Sequence, residues 1–138
     1  MKHLVIIVSL LSLFGQSMNA QGREKELDSL ITRAEQLPET IEKAQLLSRI
    51  HERMMFTDPY LARDYAQQAF DLSEKLDYKK GIANGYLQFG NYFSNRTEND
   101  SATYFYELSL AKFKEIKSIR GQIFANHSLA GIEREKGN

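Results

Sequence analysis

The sequence predicts an all-α protein, a right-handed stack of antiparallel helix hairpins behind an N-terminal signal segment. Three observations predict it. After residue 20 every apolar stripe recurs at helical spacing, and none alternates with period two. The chain also matches itself at an offset of 40 residues, the mark of a repeated unit. Its 138 residues carry 18 basic and 18 acidic side chains and no cysteine, which suits one modest domain or a few small repeats. A balanced charge lacks the footprint of a phosphate binder, so no nucleic-acid partner is expected. Without cysteine there is no disulfide framework, thiol nucleophile or thiolate metal site.

Residues 1–20 read as an address rather than as part of the fold. Lys2 precedes the apolar run Leu4 to Phe14, and the small residues Gly15, Ser17 and Ala20 follow it. A helix of that length covers about half of a ~30 Å hydrocarbon core, too little to span comfortably. Cleavage after Ala20 leaves Gln21 as the new start; cleavage after Ser17, with Gly15 behind it, is the other reading. An amphipathic or buried first helix is the alternative to a signal, and the lack of a polar face in the run speaks against it. No cysteine follows for lipid attachment, so the expectation is an exported, periplasmic or otherwise extracytoplasmic chain. Loss of Lys2 leaves it nearly neutral.

The helices follow in order. Leu27, Leu30, Ile31, Ala34 and Leu37 form an N-terminal stripe within residues 21–40, closed by Pro38. Ile41, Ala44, Leu47, Ile50 and Met54 form the second. Asp58 can cap free amides and Pro59 suits a first turn, so a third helix starts there and carries Ala62, Tyr65, Ala66, Ala69, Phe70, Ser73 and Leu76. Asp77 to Gly81 reads as a turn. The fourth helix holds Ile82, Tyr86, Phe89 and Phe93, and Asn95 to Asp100 ends it. The fifth holds Ala102, Phe105, Tyr106, Leu110, Phe113 and Ile116. The sixth starts near Arg120-Gly121, with Ile123, Leu129, Ala130 and Ile132 as its apolar set.

At the 40-residue offset Lys80-Gly81 falls on Arg120-Gly121 and Phe89-Gly90 on Leu129-Ala130. Ala62, Ala66, Phe70 and Leu76 fall on Ala102, Tyr106, Leu110 and Ile116. A helix hairpin cannot bury its apolar face alone, so such copies stack. Small residues at fixed points allow close helix approach, and large ones fill the groove beside them. The unit Tyr86…Phe89-Gly90…Phe93…Ala102…Tyr106…Leu110 resembles the tetratricopeptide repeat. Asp58-Pro59-x-x-Ala62-x-x-Tyr65-Ala66 is similar to the second helix of a preceding repeat. Ser109 stands where a small Ala is usual, Lys114 where a Pro often closes the unit, and the longer period matches extended members of the family. The resemblance covers about residues 41–138. It implies a degenerate repeat at 41–80, a second at 81–120 and the first helix of a third at 121–138.

Catalytic motifs are incomplete. His51-Glu52-Arg53-Met54-Met55 begins like a zinc-protease helix, but Met55 replaces the second ligand. Gly85 to Gly90 has the glycine spacing of a phosphate loop, yet Asn91-Tyr92 follows where Lys-Ser/Thr is required, so both glycines read as packing contacts. Carboxylates are scattered singly, which leaves paired acid–base work without a candidate. No metal, cofactor or catalytic set is expected. Asn95-Arg96-Thr97, Asn99-Asp100-Ser101 and Asn126-His127-Ser128 match the short glycosylation triplet.

One polar pattern points to binding. Asn84, Gln88, Asn91 and Asn95 share a face of the fourth helix, turned away from its apolar stripe. Uncharged amides satisfy both donors and acceptors of a peptide backbone. By resemblance this face lines the concave groove of a tetratricopeptide array, with Ser48 and His51 matching in the first repeat and Phe124, His127, Ser128 and Arg134 in the third. The expected function is a non-catalytic exported scaffold for a protein or peptide. The alternative is the extracytoplasmic sensory part of a larger signalling protein, a sensor kinase or membrane-tethered regulator, whose membrane and output segments would follow residue 138. Helix six is expected to lack its partner helix, leaving an open end prone to fraying or self-association.

Overall fold

The computed structural model describes residues 21–137. Residues 1–20, expected to be a signal segment, and the terminal Asn138 lie outside the described residues. All regular structure described is helical: α1 (residues 21–36), α2 (Ile41–Met54), α3 (Pro59–Lys75), α4 (Lys79–Ser94), α5 (Asn99–Glu115) and α6 (Ile119–Lys136). From α2 onward each helix packs against the next in sequence.

Local chemistry sets the boundaries. Thr40 accepts from the Lys43 amide at 3.3 Å to start α2, and Asp58 accepts from Leu61 at 3.0 Å to start α3, with Pro59 in its first turn. Ser118 caps α6 through the Gly121 amide at 3.3 Å. Three turns close alike. The Tyr78 amide donates to Ser73 O at 2.8 Å, Glu98 to Phe93 O at 3.0 Å and Ser118 to Phe113 O at 2.9 Å. Each is the wide bond of a Schellman cap, and each needs a left-handed residue before it. Asp77 (φ 48°), Thr97 (φ 58°) and Lys117 (φ 54°) take that role.

These caps correct the sequence reading of the turns. Only Leu76 to Tyr78 separates α3 from α4, so Lys79, Lys80 and Gly81 are helical rather than part of a turn. Glycine stands at position 81 of the helix because a Cβ there would collide with Ser73 and Tyr78. Its counterpart Gly121 faces Phe113 in the same way.

The core has three centres. Leu30 and Ala34 of α1 join Ala44, Leu46, Leu47, Ile50 and Met54 of α2, and Ala62, Ala69 and Leu72 of α3. Ala83, Phe113 and Ala125 form a second, and Ala102, Tyr106 and Ile132 a third. Ser109 is fully buried and donates to Ala83 O at 2.9 Å, so the hydroxyl at this small-residue position is satisfied across the α4–α5 contact. Phe70, Tyr86, Phe89, Phe93 and Phe105 form an aromatic ladder between α3, α4 and α5, with neighbouring centroids 5.0–6.4 Å apart.

Helix α6 keeps Leu129 and Ile132 of its expected apolar set turned inward but not Ile123 and Ala130. It is unbroken to Lys136 and buries Gly121, Ala125 and Ile132. Ile123 is 62 % exposed and Ala130 is also exposed, because the edge that meets α5 reaches Ile132 through Gly121 and Ala125.

Candidate functional site

Helix α2 contacts α4, and α4 contacts α6, whereas no Cα of α3 lies within 8 Å of α5. The α2–α4–α6 side carries two adjoining depressions of about 300 and 360 Å³ that share Glu52, Lys80 and Asn84. Ser48 and Arg49 line the first; Arg120 and Phe124 line the second. Three of the expected groove residues, Ser48, Asn84 and Phe124, therefore meet on one surface. Arg120 holds its guanidinium 5.6 Å from the Phe124 ring centre, a cation–π arrangement that fixes the rim.

The other expected groove residues are elsewhere. Gln88 is only 6 % exposed, and its Oε1 has no hydrogen-bond partner among the described residues. It points between packed helices because α4 has neighbours on several sides, which leaves little of its surface open. Asn91 is half-buried and accepts from the Tyr106 hydroxyl at 2.9 Å, so it serves the α4–α5 interface. Ser128 is half-buried, while His127 and Arg134 stand exposed on α6 outside both depressions.

His51 and Asn95 line a different cavity, at the end of α2 and α4 and the start of α3. His51 is 3 % exposed, and its Nδ1 lies 3.0 Å from Ala62 O. Burial pushes its pKa below the ordinary 6.5, since an imidazolium there would lose its hydration; the bond to Ala62 and the Glu52 charge oppose this more weakly. The ring is a structural part of the α2–α3 contact and not an open groove contact.

Sequence reasoning missed Glu52, Lys80, Arg49 and Arg120, and took the face to be uncharged. No ion pair among the described residues includes any of the four. Their charges remain available to a ligand. A signal was present: Lys80 and Asn84 fall on Arg120 and Phe124 at the 40-residue offset, each pair one helical turn apart. Among the described residues no group of three or more His, Asp or Glu gathers for a metal, and no helix is long and apolar enough to cross a membrane. Compared with protein-family models, with curated proteins and with solved structures, the chain gives no significant match.

Proposed function

We propose that this chain is an exported interaction scaffold, a right-handed tetratricopeptide-like solenoid that takes an extended peptide along its α2–α4–α6 side. One observation carries the reading: the two depressions are joined through Glu52, Lys80 and Asn84, giving a track across three helices. Contact along that side, with α3 and α5 held apart on the other, favours curvature toward the track. Asn84 can pair with a peptide amide or carbonyl, while Lys80, Arg120 and Glu52 can meet side chains or termini of either sign. Phe124 and Ser48 give the track one apolar and one polar flank. Export rests on the residue pattern of the first twenty residues.

The test is selection of peptides from a random displayed library against the full chain, followed by Glu52→Ala/Lys80→Ala/Asn84→Ala. The triple variant should weaken the selected peptides at least about tenfold, as loss of charge-assisted bonds implies. Its melting temperature should change little, because Glu52 and Lys80 are exposed and Asn84 only half-buried. Undiminished affinity in the variant would return the track to ordinary solvated surface.

A further inference from the structure

The cavity that received His51 and Asn95 has the chemistry of a binding site of its own. Its volume is about 150 Å³, and it is partly enclosed by Met55, Tyr60, Tyr92 and Arg96 besides those two residues. An apolar cavity of about that volume accommodates a benzene ring in another protein. The walls here are largely thioether, aromatic and aliphatic carbon, with few polar groups.

One of those polar groups is specific. Ala62 O is a carbonyl and can only accept, so His51 Nδ1 carries the proton and donates across the 3.0 Å contact. A neutral ring then presents Nε2 as a lone-pair acceptor, and among the described residues no protein group bonds it. The site therefore asks for a ligand hydrogen-bond donor next to His51 and a flat apolar body behind it. Arg63 and the lining residue Arg96 each lie 5.6 Å from the Tyr92 ring centre, and Glu98 holds Arg96 at 2.7 Å. Those pairings keep the Tyr92 wall in place before any ligand arrives.

We infer that this cavity binds a single-ring phenol, its hydroxyl donating to His51 Nε2 and its ring held between Met55, Tyr60 and Tyr92. An aliphatic alcohol supplies the donor but not the flat body. An unsubstituted arene supplies the body but displaces water and leaves Nε2 unpaired, which is costly. Water satisfies Nε2 but leaves the apolar walls without contacts. The inference is independent of the peptide track, since neither depression there includes His51 or Tyr60.

The phenol can be a free small molecule or a tyrosyl side chain, and both present the same group. Titration of the full chain, labelled with ¹³C-histidine, with p-cresol, toluene and N-acetyl-tyrosinamide separates the cases. The expected result is a saturable shift of the His51 ring signals by p-cresol, with His127, exposed on α6, unmoved. Toluene should bind at least about tenfold more weakly, as the loss of one buried hydrogen bond implies. Tighter binding of N-acetyl-tyrosinamide than of p-cresol assigns the ring to a peptide, and the reverse order to a free phenol; both support the site. Tyr60→Ala removes a wall residue that is 69 % exposed, so the fold should be kept while p-cresol affinity falls about fivefold. Equal affinity for p-cresol and toluene, a response at His127 rather than His51, or no saturable response overturns the inference.

Discussion

Gly90 and Gly121 show how one missing methyl group sets the distance between helices. A Cβ on Gly90 would run into the Tyr106 ring, and one on Gly121 into the Phe113 ring, which is almost fully buried. Both glycines sit inside helices, where glycine costs about 1 kcal/mol against alanine. The close approach is what offsets that cost. Gly90→Leu should destabilise the chain by about 1–3 kcal/mol through overpacking, read by urea denaturation. A change below about 0.5 kcal/mol would mean that Tyr106 moves aside freely. At this scale the sequence was legible where a residue was small, because small residues at helical spacing have few reasons to be there other than contact. It was misleading for Gln88. An amide on a polar-looking stripe says nothing of whether neighbouring helices will cover it, and here they do.

At the scale of elements, three inter-helix turns use one device. Asp77, Thr97 and Lys117 all hold left-handed backbone with a side chain present. Aspartate tolerates that region; a β-branched threonine does so least well. Thr97 is exposed, and among the described residues its hydroxyl bonds only the adjacent Arg96 carbonyl, at 2.6 Å. Thr97→Gly should therefore stabilise the protein, by up to about 1 kcal/mol after the entropy of the added glycine is subtracted. Thermal denaturation checks the sign, and a lower melting temperature would show that the threonine side chain contributes more than its strain costs. Helix starts at Asp58-Pro59 were legible, since capping chemistry is local. The turn after α3 was read too long because a Schellman cap needs only three residues, and its left-handed member was not the glycine that the sequence displayed.

At the scale of the whole molecule, the first core centre encloses a buried titratable ring. Ile50 and Met54 of α2 belong to the first centre, and His51 between them ties α2 to α3 through Ala62. This gives the chain a pH dependence with a definite sign. The folded-state pKa of His51 lies below its ordinary 6.5, chiefly because burial disfavours the imidazolium. Above about pH 6.5 both folded and unfolded rings are neutral and the group is silent. As pH falls through that value the unfolded chain takes up the proton first, so stability declines until the folded-state pKa is passed. Urea midpoints measured at pH 7.5 and 5.5 should fall toward acid. The fall should be smaller in His51→Gln, whose amide can still donate to Ala62 O. An equal fall in both proteins would assign the effect to other groups.

The sequence by itself determined the all-helical class, the order of the helices and the small residues at which they touch, because periodicity, capping and residue volume act within a few turns of chain. It also marked Lys80 and Asn84 as counterparts of Arg120 and Phe124. Only the tertiary structure decided which polar residues remain open. Asn84 and Ser48 meet Glu52 and Lys80 on a surface, Asn91 is claimed by Tyr106, Gln88 is covered, and His51 turns into a cavity with Tyr60 and Tyr92. The physical reason is that exposure belongs to the gaps between helices. Those gaps depend on how far each helix is rotated and offset against neighbours that are distant in sequence, which no single stripe of residues encodes.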